Sequence, residues 1–235
     1  MKSNQDNFGN SNYKKSSARK AVQYVKSGMV LGLGTGSTTK YALRHIAKLL
    51  EKGVLRDIVG IPSSIQTESF ALILNIPLSN LEIHPGIDLT IDGADEVDSK
   101  LNLIKGGGGA LLREKILMQA SKKVIVIIDE SKLTSKLGSK SSVPIEVIEY
   151  GWKPAALFLE SLKVKYKIRI TKDGQKFKTD EGNMIIDADF GPIENPSDLS
   201  KQLNQHASIV ENGIFVGLVS EVIVTGKEGL KILKK

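Results

Sequence analysis

Short apolar runs alternate with amphipathic segments along the first part of the chain. The apolar runs fall at 29–33, 58–61, 89–91 and 124–128, and helical spacing of apolar residues occurs at 18–26, 41–52, 66–74 and 110–120. Strands that are apolar throughout and separated by helices are typical of a parallel sheet covered on both faces. The pattern therefore predicts an α/β fold, an open and mainly parallel Rossmann-like sheet with helices on both faces. Gly28 is expected to end the first helix.

The pattern changes after about residue 137. Strands are predicted at 143–148, 164–170, 183–189 and 214–219, and helices at 154–162 and 198–206. Strand, helix, two strands, helix, strand is the order of a ferredoxin-like unit. We therefore predict a large catalytic domain formed by 1–137 and 213–235, with returning strands at 221–225 and 230–233. A smaller ferredoxin-like α+β domain is predicted at 138–212.

Charge and cysteine content restrict the function classes. The 235 residues include no cysteine, which excludes a disulfide, a thiol nucleophile and a thiolate metal site. The net charge is +7, but the basic residues at 163–170 alternate with apolar ones, which indicates a strand with one solvated face. Since no zinc spacing or stacking-aromatic cluster accompanies them, we expect no nucleic-acid partner.

The chain also carries no pattern typical of a membrane protein or a secreted one. No stretch approaches the roughly 20 apolar residues that span a bilayer. The first twelve residues are polar, lack the apolar core of a secretory signal and are interpreted as a loose leader. We expect a cytoplasmic protein with no membrane partner.

Three segments carry candidate chemistry, and the first is the small-residue turn of 32–39. Its sequence, Gly-Leu-Gly-Thr-Gly-Ser-Thr-Thr, links a predicted strand to a predicted helix. Backbone amides at a helix N-terminus, helped by hydroxyls, suit a phosphate. The turn lacks the lysine of a Walker loop and the glycine spacing of the dinucleotide fingerprint. Taken alone, it is equally typical of a tight turn without a ligand.

The second segment is acidic and follows the predicted strand 89–91. Asp92, Asp95, Glu96 and Asp98 lie within seven residues, at the carboxyl end of a strand, where open parallel sheets bind their ligands. Such carboxylates can ligate Mg²⁺ or accept hydrogen bonds from sugar hydroxyls. A solvated turn with a helix-capping aspartate is the alternative.

The third segment, 105–115, places four consecutive glycines between Lys105 and a predicted helix that carries Glu114. Ordering four glycines costs much conformational entropy, so we expect the backbone to pass very close to another group. Glu114 either complements the helix dipole or acts as a general base across the loop. Lys132, in Asp-Glu-Ser-Lys at 129–132, follows another strand and by itself is typical of a surface lysine.

In this order, the segments 32–39, 92–98, 105–115 and 129–132 resemble those of type A ribose-5-phosphate isomerases. The resemblance extends over nearly the whole chain and implies the family's large α/β domain and small ferredoxin-like domain. It implies interconversion of ribose 5-phosphate and ribulose 5-phosphate through an enediolate, in the pentose phosphate pathway. It further implies no cofactor and no metal, and a homodimer or homotetramer.

The resemblance also implies residue roles. Glu114 would accept the proton, and Asp92, Asp95 and Lys105 would surround the reacting end of the sugar. Lys14 is similar to the family's N-terminal substrate lysine, with Lys15 beside it as the alternative. The other substrate-binding residues that it implies are Thr35, Gly36, Ser37, Thr38, Gly93, Ala94, Gly106, Gly107, Gly108 and Lys132.

Two other function classes stay open at this point. Coenzyme A transferases combine related α/β folds and glycine-rich loops with a glutamate nucleophile, and trapping of a glutamyl thioester would identify one. A non-catalytic sugar-phosphate sensor is the second alternative, and it would require a DNA-binding module. A magnesium ion held by the segment 92–98 is a further alternative to metal-free chemistry, and EDTA distinguishes the two.

Overall fold

A computed structural model describes residues 2–235, with side chains from Ser11 onward. The chain divides into two compact units. The first comprises Met1–Ala94, Ile116–Leu133 and Leu218–Lys235, and the second comprises Asp95–Lys115 and Thr134–Gly217. The segment predicted as the small domain, 138–212, lies within the second unit. The predicted domain boundaries themselves stay a prediction.

A six-stranded sheet forms the centre of the first unit. With strands numbered along the chain, its members are β1 (Val30–Leu33), β2 (Val59–Pro62), β3 (Leu89–Asp92), β6 (Val124–Asp129), β12 (Glu221–Gly226) and β13 (Gly229–Lys234). Their order is β13-β12-β6-β3-β1-β2, and every pairing is parallel except that of β12 with β13. The mainly parallel sheet that the apolar runs predict is confirmed.

Helices cover both faces of this sheet. They are α1 (Lys2–Val22), α2 (Thr39–Glu51), α3 (Ile65–Ile73) and α4 (Leu111–Gln119). Side chains of α1, α2 and α3 share one buried cluster with Leu31 and Leu33 of β1. Leu117 of α4 belongs to another cluster, with Ile61 and Ile87. Successive side chains of a strand point to opposite faces, so β1 contributes to both clusters. Its residue Val30, next to Leu31, packs against the second cluster.

The N-terminal prediction is wrong in two respects. Helix α1 begins at Lys2, so the segment interpreted as a loose leader is helical from that residue, and Met1 lies outside the described residues. The helix also ends at Val22 rather than near Lys26, and Gly28, at φ +79°, belongs to a later turn. Polar residues without an apolar stripe give no periodicity from which a helix can be predicted. Among the described helices, none is long and apolar enough to cross a membrane.

A four-stranded antiparallel sheet with two helices dominates the second unit. Its elements are β7 (Val143–Val147), α5 (Trp152–Ser161), β8 (Lys165–Ile168), β9 (Met184–Asp189), α6 (Pro196–Asn204) and β10 (Ile209–Asn212). The strand order β10-β7-β9-β8 is that of a ferredoxin-like unit. Lys165 and Lys167 of β8 are exposed and alternate with half-buried residues, which confirms the solvated face.

The last strand of this sheet differs from the prediction. It is β10, at Ile209–Asn212, whereas the apolar residues of 214–219 contribute only β11 (Ile214–Phe215). Strand β11 pairs with β5 (Leu103–Ile104), which also pairs with β4 (Glu96–Val97). Two-residue strands are too short to show a periodicity, so the sequence does not predict this three-stranded sheet. Within the second unit, the sheet places Glu96 and Val97 beside the strand that leads into Lys105.

Candidate active site

The loop after β1 and the carboxylate that ends β3 fix each other within the first unit. A Cβ at Gly34 would overlap the Asp92 carboxylate and lie 2.6 Å from Asp92 Cα, so only glycine fits there. Asp92 is 1% exposed, and its Oδ1 accepts hydrogen bonds from the backbone N–H of Thr35 at 3.1 Å and of Gly93 at 2.7 Å. The glycine of the loop and the first aspartate of the acidic segment therefore form one substructure.

The hydroxyl of Thr35 belongs to a cluster of four hydroxyls. Its Oγ1 lies 2.9 Å from Ser63 Oγ, 2.8 Å from Ser64 Oγ and 3.0 Å from Thr67 Oγ1. Thr67 Oγ1 in turn donates to the carbonyl oxygen of Gly34 at 3.1 Å, and Ser64 caps helix α3. The cluster holds the loop in place. Sequence reasoning missed Ser63, Ser64 and Thr67, although serine directly before a helix is a recognisable capping signal.

A basic cavity of about 390 Å³ lies beside this loop. Lys14 Nζ donates to Ser37 Oγ at 3.0 Å, while the neighbouring Lys15 faces another groove with its ammonium 5.8 Å from the centre of the Tyr41 ring. The first unit thus brings Lys14, rather than Lys15, to the hydroxyl loop. The residues that line the cavity are Ser11, Lys14, Gly36, Ser37, Lys40, Tyr41, Arg44 and Gln66.

Three cations, Lys14, Lys40 and Arg44, line this cavity together with the exposed Ser37, an arrangement that suits a phosphate. Sequence reasoning missed Lys40 and Arg44. Their signal is the spacing of four residues on the helix that follows the loop, which places both on one face. Thr38, directly before α2, is buried.

In the second unit, Lys105 and Glu114 form a buried ion pair. Lys105 Nζ lies 3.0 Å from Glu114 Oε1, and the two side chains are 2% and 5% exposed. Lys105 follows β5 and donates its N–H to the Gly213 carbonyl at 2.9 Å, whereas Glu114 lies in the first turn of α4. The ring of Phe215 lies 5.8 Å from the Lys105 ammonium. A carboxylate and an ammonium group are thereby held side by side, away from bulk water.

Lys115, the next residue of α4, has a structural role that the sequence does not reveal. Its ammonium lies 2.8 Å from Glu211 Oε1 and donates to the carbonyl oxygens of Asn212 and Ile214 at 2.8 and 2.9 Å. Burial lowers the pKa of Lys115, and the Glu211 carboxylate opposes that shift. These bonds attach the start of α4 to β10 and β11, which fixes the rotation of the helix that carries Glu114.

The glycine loop before α4 passes close to other groups, as its composition predicts. Gly106 and Gly109 have φ values of +100° and +81°, where side chains are strained. A Cβ at Gly109 would overlap the ring of Phe177. Asp95 Oδ2 accepts a hydrogen bond from the Gly107 N–H at 2.9 Å, and Gly107 and Gly108 are exposed. The loop thus exposes Gly107 and Gly108, while Gly106 and Gly109 on either side of them are buried and closely packed.

The four acidic residues of the second segment separate into different roles. Glu96 is fully buried and accepts hydrogen bonds from the backbone N–H groups of Gly138, Lys140 and Ser141. Asp98 accepts from the N–H groups of two residues in the turn that follows it. Both carboxylates therefore stabilise loops, whereas Asp92 contacts the glycine-containing loop of the first unit and Asp95 that of the second. No group of three or more His, Cys, Asp or Glu among the described residues is arranged to hold a metal ion.

The remaining predicted positions lie at the ends of strands. Gly93 and Ala94 are half-buried after β3. Lys132 is also half-buried, in the short 3-10 turn Glu130–Lys132 at the carboxyl end of β6. The binding roles of these residues stay predictions.

The mainly parallel sheet and the ferredoxin-like unit belong to a chain whose curated relatives and solved structural neighbours are sugar-phosphate isomerases, and this defines its enzyme class. The family described as ribose 5-phosphate isomerase A (phosphoriboisomerase A) matches residues 59–229. The chain belongs to this family.

Individual relatives match nearly the whole chain. Ribose-5-phosphate isomerase A of Desulfatibacillum aliphaticivorans is 52% identical over 221 residues, which cover 94% of this chain and 96% of that protein. A solved D-ribose-5-phosphate isomerase in complex with phospho-erythronic acid is 42% identical with a TM-score of 0.94, covering 96% and 99% of the two chains. The enzyme of Methanocaldococcus jannaschii is 39% identical with a TM-score of 0.92, covering 96% and 100%. These relatives support neither the coenzyme A transferase nor the sensor.

Proposed function

We propose that this chain interconverts ribose 5-phosphate and ribulose 5-phosphate, with Glu114 as the general base. The observation that carries the proposal is the buried Lys105–Glu114 pair, 3.0 Å apart, next to the glycine loop in a chain of this family. The relatives that match over 94% or more of this chain are named for the same reaction. The pentose phosphate pathway follows from the family.

The reaction requires one base that reaches two adjacent carbons. In the open-chain aldose, the carboxylate of Glu114 removes the proton on C2, and the C2–H electron pair forms the C1–C2 double bond of an enediolate with its charge on O1. Glu114 then returns the proton to C1 while O2 loses its proton and becomes the ketone, and O1 gains a proton. A single carboxylate performs both transfers, as general acid–base catalysis allows.

Electrostatic stabilisation of the enediolate is assigned to Lys105 and to the exposed amide of Gly108, and Gly106, Gly107 and Gly108 are retained as residues that line the substrate site. An ammonium group beside the base, with both side chains at most 5% exposed, acts on the developing charge with little screening by water. The ligand named for the solved relative, phospho-erythronic acid, carries a phosphate and a carboxylate. A carboxylate has the planar, shared negative charge of an enediolate, which agrees with this assignment.

We assign the two remaining carboxylates to sugar hydroxyls and the hydroxyl loop to the phosphate. Asp92 and Asp95 would help to open the sugar ring and relay protons between hydroxyls. The segment 35–38, with Lys14, would bind the phosphate and orient the substrate. Gly93, Ala94 and Lys132 are retained as binding residues. No metal and no cofactor enters any of these steps.

The decisive assay measures ribulose 5-phosphate formed from ribose 5-phosphate by the wild type, Glu114→Gln and the control Glu181→Gln, with and without excess EDTA. Glu181 is a carboxylate in the same unit, 42% exposed and paired with Arg113, so its replacement removes the same charge. Loss of a general base is expected to lower kcat by about 10²- to 10⁴-fold in Glu114→Gln only. Near-normal turnover of Glu114→Gln contradicts the assignment, and loss of activity in EDTA indicates a required metal.

We further propose a cytoplasmic homodimer or homotetramer whose partner is the small sugar phosphate and which binds neither nucleic acid nor membrane. The resemblance to the family supports the oligomer. The exposed lysines of β8 alternate with half-buried residues, as on the outer face of an ordinary sheet strand, which favours a solvated face over a nucleic-acid surface. Light scattering of the purified protein measures the oligomer directly, and a monomeric mass contradicts the proposal.

A further inference from the structure

The guanidinium group of Arg169 binds the backbone of the glycine loop. Arg169 follows β8 in the second unit, and its Nη1 donates to the carbonyl oxygens of Gly106 at 2.8 Å and Gly107 at 3.2 Å. Its Nε donates to Asp187 Oδ2 at 2.9 Å, and its Nη2 donates to Asp187 Oδ1. The side chain is therefore held in a two-pronged ion pair while its third nitrogen contacts two successive peptide groups.

These contacts determine which way the loop amides face. A trans peptide is planar, with its C=O and N–H directed to opposite sides. The peptide between Gly106 and Gly107 is bound at both ends, since its oxygen accepts from Arg169 and its N–H donates to Asp95 Oδ2 at 2.9 Å. The next peptide has its oxygen on Arg169 as well, so the N–H of the exposed Gly108 is directed away from Arg169.

A glycine loop needs such contacts more than other loops do. Fixing the backbone of one residue costs about 1–2 kcal/mol, and glycine loses more freedom than any other residue. Hydrogen bonds to a charged group offset part of that cost. The Phe177 ring adds a second support, because it lies against Gly109 and 5.7 Å from the Arg169 guanidinium. Side chains of the β8–β9 region thus hold the loop from one side.

We propose that Arg169 is a positioning residue for the isomerisation: by holding the carbonyl groups of Gly106 and Gly107, it directs the Gly108 amide at the oxygen that becomes negative in the enediolate. Asp187 keeps the guanidinium aimed at the loop. This inference rests on the proposed function. It assigns a role to Arg169, which the alternating pattern of 163–170 had grouped with the solvated lysines.

The test compares kcat and KM for ribose 5-phosphate in the wild type, Arg169→Gln, Arg169→Lys, Asp187→Asn and the control Lys165→Gln. Lys165 is exposed on β8, and its replacement by glutamine removes one positive charge, as Arg169→Gln does. Misdirecting an oxyanion donor is expected to lower kcat by about 10- to 100-fold in Arg169→Gln, with KM changed less than about 3-fold. Arg169→Lys should recover part of kcat because an ammonium still donates to a carbonyl, and Asp187→Asn should lose less than Arg169→Gln.

A second measurement on the same variants does not depend on activity. Amide hydrogen exchange in the peptide that covers 106–109 is expected to accelerate about 10-fold or more in Arg169→Gln and to stay unchanged in Lys165→Gln. Unchanged exchange, a kcat within about 3-fold of the wild type, or a loss confined to KM overturns the inference. A wild type without turnover contradicts the proposed function instead, and hydrogen exchange then still decides whether Arg169 fixes the loop.

Discussion

Replacing Lys105 by methionine tests the electrostatics of the buried pair. The substitution keeps the length of the side chain but leaves the Glu114 carboxylate, 5% exposed, without its ammonium partner at 3.0 Å. Removing one member of a buried ion pair costs about 3–5 kcal/mol, because the other charge stays desolvated. For a chain of this size, each kcal/mol lowers Tm by about 2–4 °C, so a decrease of about 6–20 °C is expected.

The double variant Lys105→Met/Glu114→Gln isolates the cause. With both charges removed, no carboxylate is buried alone, and at least about 2 kcal/mol of the lost stability should return. Lys122→Met is the matched control, since it breaks the Lys122–Asp88 pair, which has a similar distance of 2.8 Å but a lysine that is 78% exposed. Exposed pairs contribute less than about 1 kcal/mol.

Urea unfolding followed by circular dichroism measures the free energy of unfolding of all four proteins. The reasoning is refuted if Lys105→Met loses no more stability than Lys122→Met. It is also refuted if the double variant is as unstable as the single one, because the cost would then come from lost packing around Phe215 and not from the loss of the ammonium group beside the carboxylate.

Three further predictions concern other parts of the molecule. Gly34→Ala is expected to displace the Asp92 carboxylate and lower kcat/KM by about 100-fold, because a displacement near 1 Å has that effect; wild-type kinetics would contradict the close approach. Lys14→Gln is expected to raise KM by about 10-fold or more, and Lys15→Gln to leave it unchanged, because only Lys14 contacts the hydroxyl loop; equal effects would contradict this difference. Burial raises the pKa of the Glu146 carboxyl group, so the folded protein binds a proton at Glu146 more tightly than the unfolded protein does. The stability that the protonated carboxyl group contributes at low pH is therefore lost as pH rises through the pKa of the folded state. Glu146→Gln should therefore gain stability relative to the wild type as pH rises above 4.5, the ordinary pKa of glutamate, in urea unfolding, and a constant difference would contradict the pKa shift.

The periodicity of the chain was sufficient to predict most of the fold. Continuous apolar runs such as 124–128 are typical of strands buried on both faces, and their short length between predicted helices favoured a strand over a buried helix. The alternation of basic and apolar residues at 164–170 likewise predicted β8 and its solvated face. Predictions failed where periodicity was absent, in the polar start of α1 and in the two-residue strands β4, β5 and β11.

The candidate site was predicted unevenly for a related reason. Glycines and carboxylates at strand ends are conspicuous in a sequence, because each is costly unless it has a local purpose. The pattern therefore identified the acidic segment 92–98, the glycine loop and Glu114 as candidates, and the resemblance to the family singled out Asp92, Asp95 and Lys105. Neither indicated that Glu96 accepts backbone hydrogen bonds from residues more than forty positions later.

The sequence by itself determined most of the strands, the ferredoxin-like order and the three segments of candidate chemistry, because each of these depends on residues that are neighbours in the chain. Only the tertiary structure decided which side chains hold those segments in place. Arg169 and Phe177 lie more than sixty residues from the glycines they contact, and Thr67 lies more than thirty from the loop it binds. Contacts over such distances follow from strand pairing and packing, which a local pattern of hydrophobic and polar residues does not encode.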